Sequence, residues 1–255
     1  MEGLAQLIGQ WASGDGPDLL VLGPAEVGEV MGLGGALDGG GEGGSVREVV
    51  EPDVDEAVVL QSAPQPWAGV DEVGRGPLAG PVVACAVVLA PGARIPGLRD
   101  SKALTPAARQ ALIAPILAQA LDARVAIVSH RMVDRLNVLQ ASLRAMAASA
   151  SDLRVPYRTL VVDGPMPVPM RRQVAQMPLV DADARVACVM AASVVAKVVR
   201  DRLMEEADRV WPGYGFARHK GYPTPEHLEA LHRLGPSPLH RRSYRPVAAA
   251  PPAPA

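Results

Sequence analysis

The sequence predicts an α/β domain built on a mixed sheet. Two apolar, valine-rich runs separated by a glycine- and proline-rich turn come first, and helical and strand patterns then alternate towards the end of the chain. A chain of 255 residues that is 49% apolar can bury one sizeable core. It lacks the run of about eighteen apolar residues that a membrane helix needs. Glu2 stands where a secretory signal would carry a basic region, so the expected compartment is the cytoplasm. No membrane contact and a monomeric state are also expected.

Fourteen of the 25 glycines lie in residues 1–66, among them Gly39 to Gly41. No helical or strand period persists through this stretch, so residues 1–64 are expected to be a low-complexity, flexible extension with at most a short helix around Leu4 to Trp11. A strand then ends at Val70 and another covers residues 81–89, and the two should pair as a hairpin. Thr105 followed by Pro106 reads as an N-cap with proline in the first helical position, opening a helix to about Leu121. A strand at 124–128, a long helix over 132–150, a strand at 159–162 and an extended piece at 176–180 follow. Apolar residues at helical spacing over 186–210 stop at Trp211-Pro212, and a last helix spans 225–234. The catalytic domain is expected over 65–247, and the end of the chain, VAAAPPAPA from Val247, reads as a Pro/Ala tail, 248–255.

The net charge of −2 conceals a division. Residues 1–66 hold twelve Asp/Glu and one Arg, whereas 67–255 hold fifteen Asp/Glu and twenty-four Lys/Arg, a surplus of nine positive charges. A basic body suits a polyanionic partner, because each Lys or Arg placed at a phosphate releases a condensed counterion. Cys85 and Cys188 lack C-x-x-C spacing and sit in apolar runs, where buried thiols are expected, not a disulfide or a zinc site.

Three acidic clusters stand out. Asp71 and Glu72 close an apolar strand before a turn carrying Gly74, Arg75 and Gly76; Asp163 ends TLVVD before Gly164; Asp181 and Asp183 precede the long helix. Each alone has a plain explanation as a solvated turn or a helix-dipole partner. Gathered together at the ends of a buried sheet, their mutual repulsion calls for cations, and oxygen-only donors select Mg²⁺ or Mn²⁺. Two such ions can activate water and stabilise the leaving oxygen in an in-line phosphodiester displacement. Hydrolysis of a nucleic-acid backbone is the chemistry these features point to.

The chain resembles the type 2 ribonucleases H, the bacterial ribonuclease HII family, from about Trp67 to Val247. The likeness rests on AGVDEVGRGPLAGPVV, on DSK at Asp100 to Lys102, on VDG at Val162 to Gly164, on AASVVAKVVRDR at Ala191 to Arg202 and on YGFARHKGYPT at Tyr214 to Thr224. It implies an RNase H-like mixed sheet flanked by helices, with a C-terminal helical portion. By that resemblance Asp71, Glu72, Asp163 and Asp183 match the four metal-binding acids; Gly74, Arg75 and Gly76 match the loop that senses the 2′-hydroxyl; and Tyr222 matches the tyrosine that packs at the RNA-DNA junction. Lys102, Lys197, Arg200 and Arg202 become expected phosphate contacts. The chain departs from the family pattern at Pro165 in place of Asn, at Asp181-Ala182 in place of Lys-Gly and at Cys188 in place of Glu. Asp183 is favoured over Asp181 as the fourth acid because DARV keeps the family's distance to AAS.

The resemblance implies an endoribonuclease that hydrolyses the RNA strand of RNA-DNA hybrids and nicks 5′ to single ribonucleotides embedded in duplex DNA. It would use two Mn²⁺ or Mg²⁺ ions and leave 3′-hydroxyl and 5′-phosphate ends, with no organic cofactor. Two alternatives stay open at this point: a hybrid-binding protein disabled by the altered acidic loop, and a metal nuclease acting on DNA junctions.

Overall fold

The computed structural model describes residues 2–33 and 66–252. In chain order the strands are β1 (Leu19–Leu22), β2 (Trp67–Val73), β3 (Val82–Leu89), β4 (Ala120–Val128), β5 (Thr159–Asp163) and β6 (Ala175–Leu179). They form one six-stranded sheet in the order β1-β4-β3-β2-β5-β6. The pairs on the β1 side of β2 are antiparallel, whereas β2-β5 and β5-β6 are parallel. The sense of pairing therefore changes at β2, the strand that carries the first two acids.

Both faces of the sheet are covered, which explains the nearly continuous apolar run of β3. Strand periodicity sends Val83, Cys85 and Val87 into one core and Val82, Ala84, Ala86 and Val88 into the other. The first core lies under α1 (Glu2–Ser13), α2 (Pro24–Val30), α3 (Pro106–Gln119) and the long α6 (Ala187–Val210); the second lies under α4 (His130–Leu136) and α5 (Val138–Asp152). A helical portion of α7 (Phe216–His219), α8 (Pro225–Leu234) and α9 (Arg245–Ala248) closes the chain. α3 starts as its sequence dictates, with the Thr105 hydroxyl accepting from the Ala108 N–H at 3.2 Å. α6 can lie directly on β2 because residue 69 is glycine. A Cβ there would sit 2.4 Å from the carbonyl carbon of Cys188 and 2.5 Å from the nitrogen of Val189.

Three expectations are corrected. Residues 2–33 are not a flexible extension. Leu4, Leu7, Ile8 and Trp11 recur at helical spacing and are buried in the first core, while β1 pairs with β4 at the sheet edge. Asp18 fastens this segment, accepting from the Ser129 hydroxyl at 2.8 Å and pairing with Arg135. The glycine-rich stretch around Gly39 to Gly44 lies outside the described residues. The helix expected over 132–150 is two helices, broken at Asn137, whose φ of +71° leaves the helical region and whose side chain caps α5 by accepting from the Gln140 N–H. Ala248 belongs to α9 and not to the tail expected over 248–255, while Val247 is buried as the last residue of the expected domain and packs with Leu78 and Leu231. Cys85 and Cys188 are both buried, with no disulfide between them.

Candidate active site

The register of the parallel pair places the first carboxylates. Gly69 lies opposite Val161 and Val70 opposite Val162, so Asp71 and Asp163 fall side by side where both strands end. Gly69 and Val161 both face the start of α6, and Asp71 and Asp163, two residues on, share that face. The carboxyl ends of parallel strands, at a point where strand direction changes, are where open α/β sheets take ligands. Asp183 arrives from a single 3-10 turn, Ala182–Ala184, and its N–H donates to Asp163 Oδ1 at 3.2 Å. That turn thus brings the third segment of chain to the first two.

Asp71, Glu72, Asp163 and Asp183 line one cleft of about 280 Å³, together with Lys102, Lys197 and Tyr222. Burial, and then the neighbouring charges of Glu72 and Asp163, hold the Asp71 carboxyl well above the ordinary carboxylate range. Burial raises Glu72 as well, opposed by the Arg75 guanidinium 3.4 Å away. Asp163 is raised by burial and by Asp183. Lys102 Nζ donates to Asp183 Oδ2 at 2.7 Å, a bond that raises the lysine. Among the described residues no three metal-ligating side chains already converge on one point, since Asp183 is turned to Lys102 and Glu72 to Arg75. The donor set itself, carboxylate oxygens with neither His nor Cys and with charges opposed by burial, fits a hard divalent cation.

The remaining expected residues divide. Gly74, Arg75 and Gly76 form the turn beside the cleft; Gly74 has φ +100° and no room for a Cβ, which would lie 2.4 Å from Arg200 Nε. A Cβ on Gly76 would meet the Tyr222 ring at 3.5 Å, so loop and ring are neighbours. Lys197 is half-buried and donates to Asp201 at 2.6 Å. Asp181 is exposed, has φ +57° and does not line the cleft, which leaves Asp183 as the acid brought to the others. Arg200 is not a surface phosphate contact: it is fully buried and donates to the carbonyls of Pro81, Lys220 and Ala79. Arg202 lies in a neighbouring groove between α3 and α6, beside Glu205.

Sequence reasoning missed Val73, Ser101, Arg109 and Ser193, which also line the cleft. The Ser101 and Ser193 hydroxyls are 2.9 Å apart, and Arg109 donates to the carbonyls of Ser101 and Leu104, fixing the turn that carries Lys102. Adjacency to the DSK and AAS patterns could have flagged the serines; Arg109 carries no local signal.

Known proteins match the chain over the residues that build this site. A family model described as Ribonuclease HII matches residues 68–247. Ribonuclease HII of Geobacter sulfurreducens is 51% identical over 180 residues, spanning 71% of this chain and 82% of that protein. Ribonuclease HII of Geobacillus kaustophilus is 52% identical over 183 residues, spanning 71% and 68%. The crystal structure of ribonuclease H2 from Pyrococcus horikoshii superposes with a TM-score of 0.62 at 28% identity, covering 71% of this chain and 95% of that one.

Proposed function

On the footing that the chain belongs to the ribonuclease HII family, and is therefore an endonuclease of the ribonuclease H type acting on RNA-DNA hybrids, we propose that it also nicks duplex DNA 5′ to a single embedded ribonucleotide. The observation that carries the catalytic reading is the convergence of acids from three separate chain segments, 71–72, 163 and 183, on one cleft.

Asp71, Glu72, Asp163 and Asp183 would hold divalent ions, Mg²⁺ or Mn²⁺. When bound, such ions lower the pKa of water and stabilise the leaving oxygen, which gives 3′-hydroxyl and 5′-phosphate ends. The protein's own residues prepare that chemistry. The strand ends and the 3-10 turn bring the carboxylates to one cleft, where Glu72 and Asp183 would turn from Arg75 and Lys102 towards the ions. Lys102, in contact with Asp183, limits the repulsion among the acids, and with Lys197 it is placed to meet backbone phosphates. The N–H groups of the Gly74 to Gly76 turn suit the 2′-hydroxyl, the group that distinguishes RNA from DNA. The Tyr222 ring, partly exposed beside Gly76, offers a stacking face to the sugar or base at the junction.

Cleavage is favoured over binding alone because none of the departures from the family pattern, Pro165, Asp181, Ala182 and Cys188, lines the cleft. Pro165 and Asp181 are exposed, and Cys188 is buried under β2. The test is cleavage of a labelled RNA-DNA hybrid in Mg²⁺ and in Mn²⁺ by the wild type and by Asp71→Asn, Glu72→Gln, Asp163→Asn and Asp183→Asn. Metal-dependent products that fall about a thousandfold in each variant, the rate equivalent of roughly 4 kcal/mol, are expected. Full activity in Asp183→Asn would remove that residue from the set.

A further inference from the structure

We propose that Arg241, together with Tyr244, is a positioning residue for ribonucleotide recognition: it fixes the peptide planes of the Gly74 to Gly76 turn so that the turn's N–H groups face the substrate. The proposal rests on the reading that this turn senses the 2′-hydroxyl.

Arg241 reaches the turn from the far end of the chain and is fully buried. All five N–H donors of its guanidinium are engaged. Nε donates to the Gly80 carbonyl at 3.0 Å, Nη2 to the carbonyls of Gly80 and Gly74 at 2.9 and 2.6 Å, and Nη1 to the Arg75 carbonyl and the Tyr244 hydroxyl oxygen at 3.1 and 3.0 Å. Having accepted from Arg241, the Tyr244 hydroxyl donates its own proton to the Arg75 carbonyl at 2.7 Å. The carbonyls of Gly74 and Arg75 are therefore both drawn inwards. In a trans peptide the C=O and the following N–H point in opposite directions, so the N–H groups of Arg75 and Gly76 are turned outwards. Both residues are exposed.

A turn with glycine on either side of Arg75 has backbone freedom to lose this orientation unless something holds it. The base of the turn is fixed independently: the Leu78 N–H donates to the Gly221 carbonyl, the Arg241 N–H to the Leu78 carbonyl and the Gly80 N–H to the Leu239 carbonyl. Arg200 adds bonds to the carbonyls of Ala79 and Pro81. The two peptide planes that matter for recognition, however, are held by Arg241 and Tyr244. Neither residue lines the cleft, so their effect passes through the turn. Lysine would preserve the charge of Arg241 but not its fork: three donors on a single nitrogen cannot span the carbonyls of Gly74, Arg75 and Gly80.

The test uses the full-length protein, Arg241→Lys and Tyr244→Phe. Single-turnover cleavage is measured on duplexes holding either one ribonucleotide or one 2′-fluoro nucleotide at the same place, with thermal unfolding and duplex affinity alongside. The wild type should prefer the ribonucleotide. Tyr244→Phe removes two hydrogen bonds, of which the one to the Arg75 carbonyl holds the turn directly, and should lower the rate on it roughly fivefold, the size of that one bond, and Arg241→Lys by about a hundredfold. The 2′-fluoro rate and the duplex affinity should hold steady, so the preference shrinks. A merely structural role would lower both rates in parallel with the melting temperature and leave the preference unchanged; that result in the folded variants would overturn the proposal. Should Arg241→Lys fail to fold, Tyr244→Phe, which removes one oxygen, decides alone. A wild type with no preference would overturn the reading of the turn and this proposal with it, whereas a discriminating wild type with an unchanged Tyr244→Phe would overturn the proposal only.

Discussion

Asp71, proposed above as a metal-holding acid, sits where its own ionisation works against stability. Its carboxyl is buried, touches the N–H of Glu72 at 2.7 Å and lies among like charges, so its ionisation is disfavoured in the folded state. A carboxyl whose folded pKa is raised binds more protons folded than unfolded. The resulting loss of stability begins as pH rises through the ordinary unfolded value of about 3.9 and is complete above the folded one. Asp71→Asn should therefore raise the melting temperature of the metal-free protein at pH 7.5, by a margin that narrows as pH falls towards 4, while removing the additional rise that Mn²⁺ gives the wild type. A variant less stable than the wild type at pH 7.5 would show that the carboxylate is not strained. The pair Asp71-Glu72, and Asp163 before its glycine, were legible in the sequence because an acid at the end of an apolar strand breaks a pattern. Asp183 was already favoured over Asp181 by the distance from DARV to AAS, and the 3-10 turn buries the first and leaves the second exposed. Arg109 and Arg200 were not legible as buried groups: Arg109 donates to the carbonyls of Ser101 and Leu104 and pairs with Asp201, Arg200 donates to the carbonyls of Ala79, Pro81 and Lys220, and carbonyls carry no sequence label.

Elements were most readable where one local rule governed them. The hairpin of β2 and β3, the Thr105 cap of α3 and the span of α8 follow from apolar runs around a Gly/Pro turn, capping and proline placement. The break at Asn137 was hidden because the apolar period continues across it. The N-terminal elements were misread for a different reason: glycine density across 1–66 outweighed the short stripe of Leu4, Leu7, Ile8 and Trp11. That stripe has a measurable consequence. Trp11 is 1% exposed and its indole N–H donates to the Pro17 carbonyl at 2.8 Å. Trp11→Ala should cost about 3 kcal/mol in urea unfolding, by lost burial and the cavity left behind. A change under about 0.5 kcal/mol, as at an exposed site, would mean that α1 does not belong to the folded core, although the family model begins only at residue 68.

At the scale of the whole molecule, the sheet sets the site and the helices complete it. Pairing turns parallel at β2, so two strand ends present acids side by side. Gly69 admits the start of α6 against them, and the C-terminal helical portion supplies Tyr222 and the support of the glycine turn. The basic surplus of residues 67–255 agrees with a polyanionic substrate, and the opposite charge of residues 1–66 sits in a segment of which 2–33 pack on the same body. Fold class and chemistry were readable because the acids mark strand ends. The side-chain bonds of Arg200 and Arg241 that support the glycine turn were not, since they join residues more than a hundred positions apart. The most direct test of the account is cleavage, in Mg²⁺ and separately in Mn²⁺, of an end-labelled DNA duplex containing one ribonucleotide. The account expects a single metal-dependent nick on the 5′ side of the ribonucleotide, leaving a 3′-hydroxyl, and no cutting of the all-DNA duplex; equal cutting of both duplexes, or binding without a nick in either metal, would contradict it.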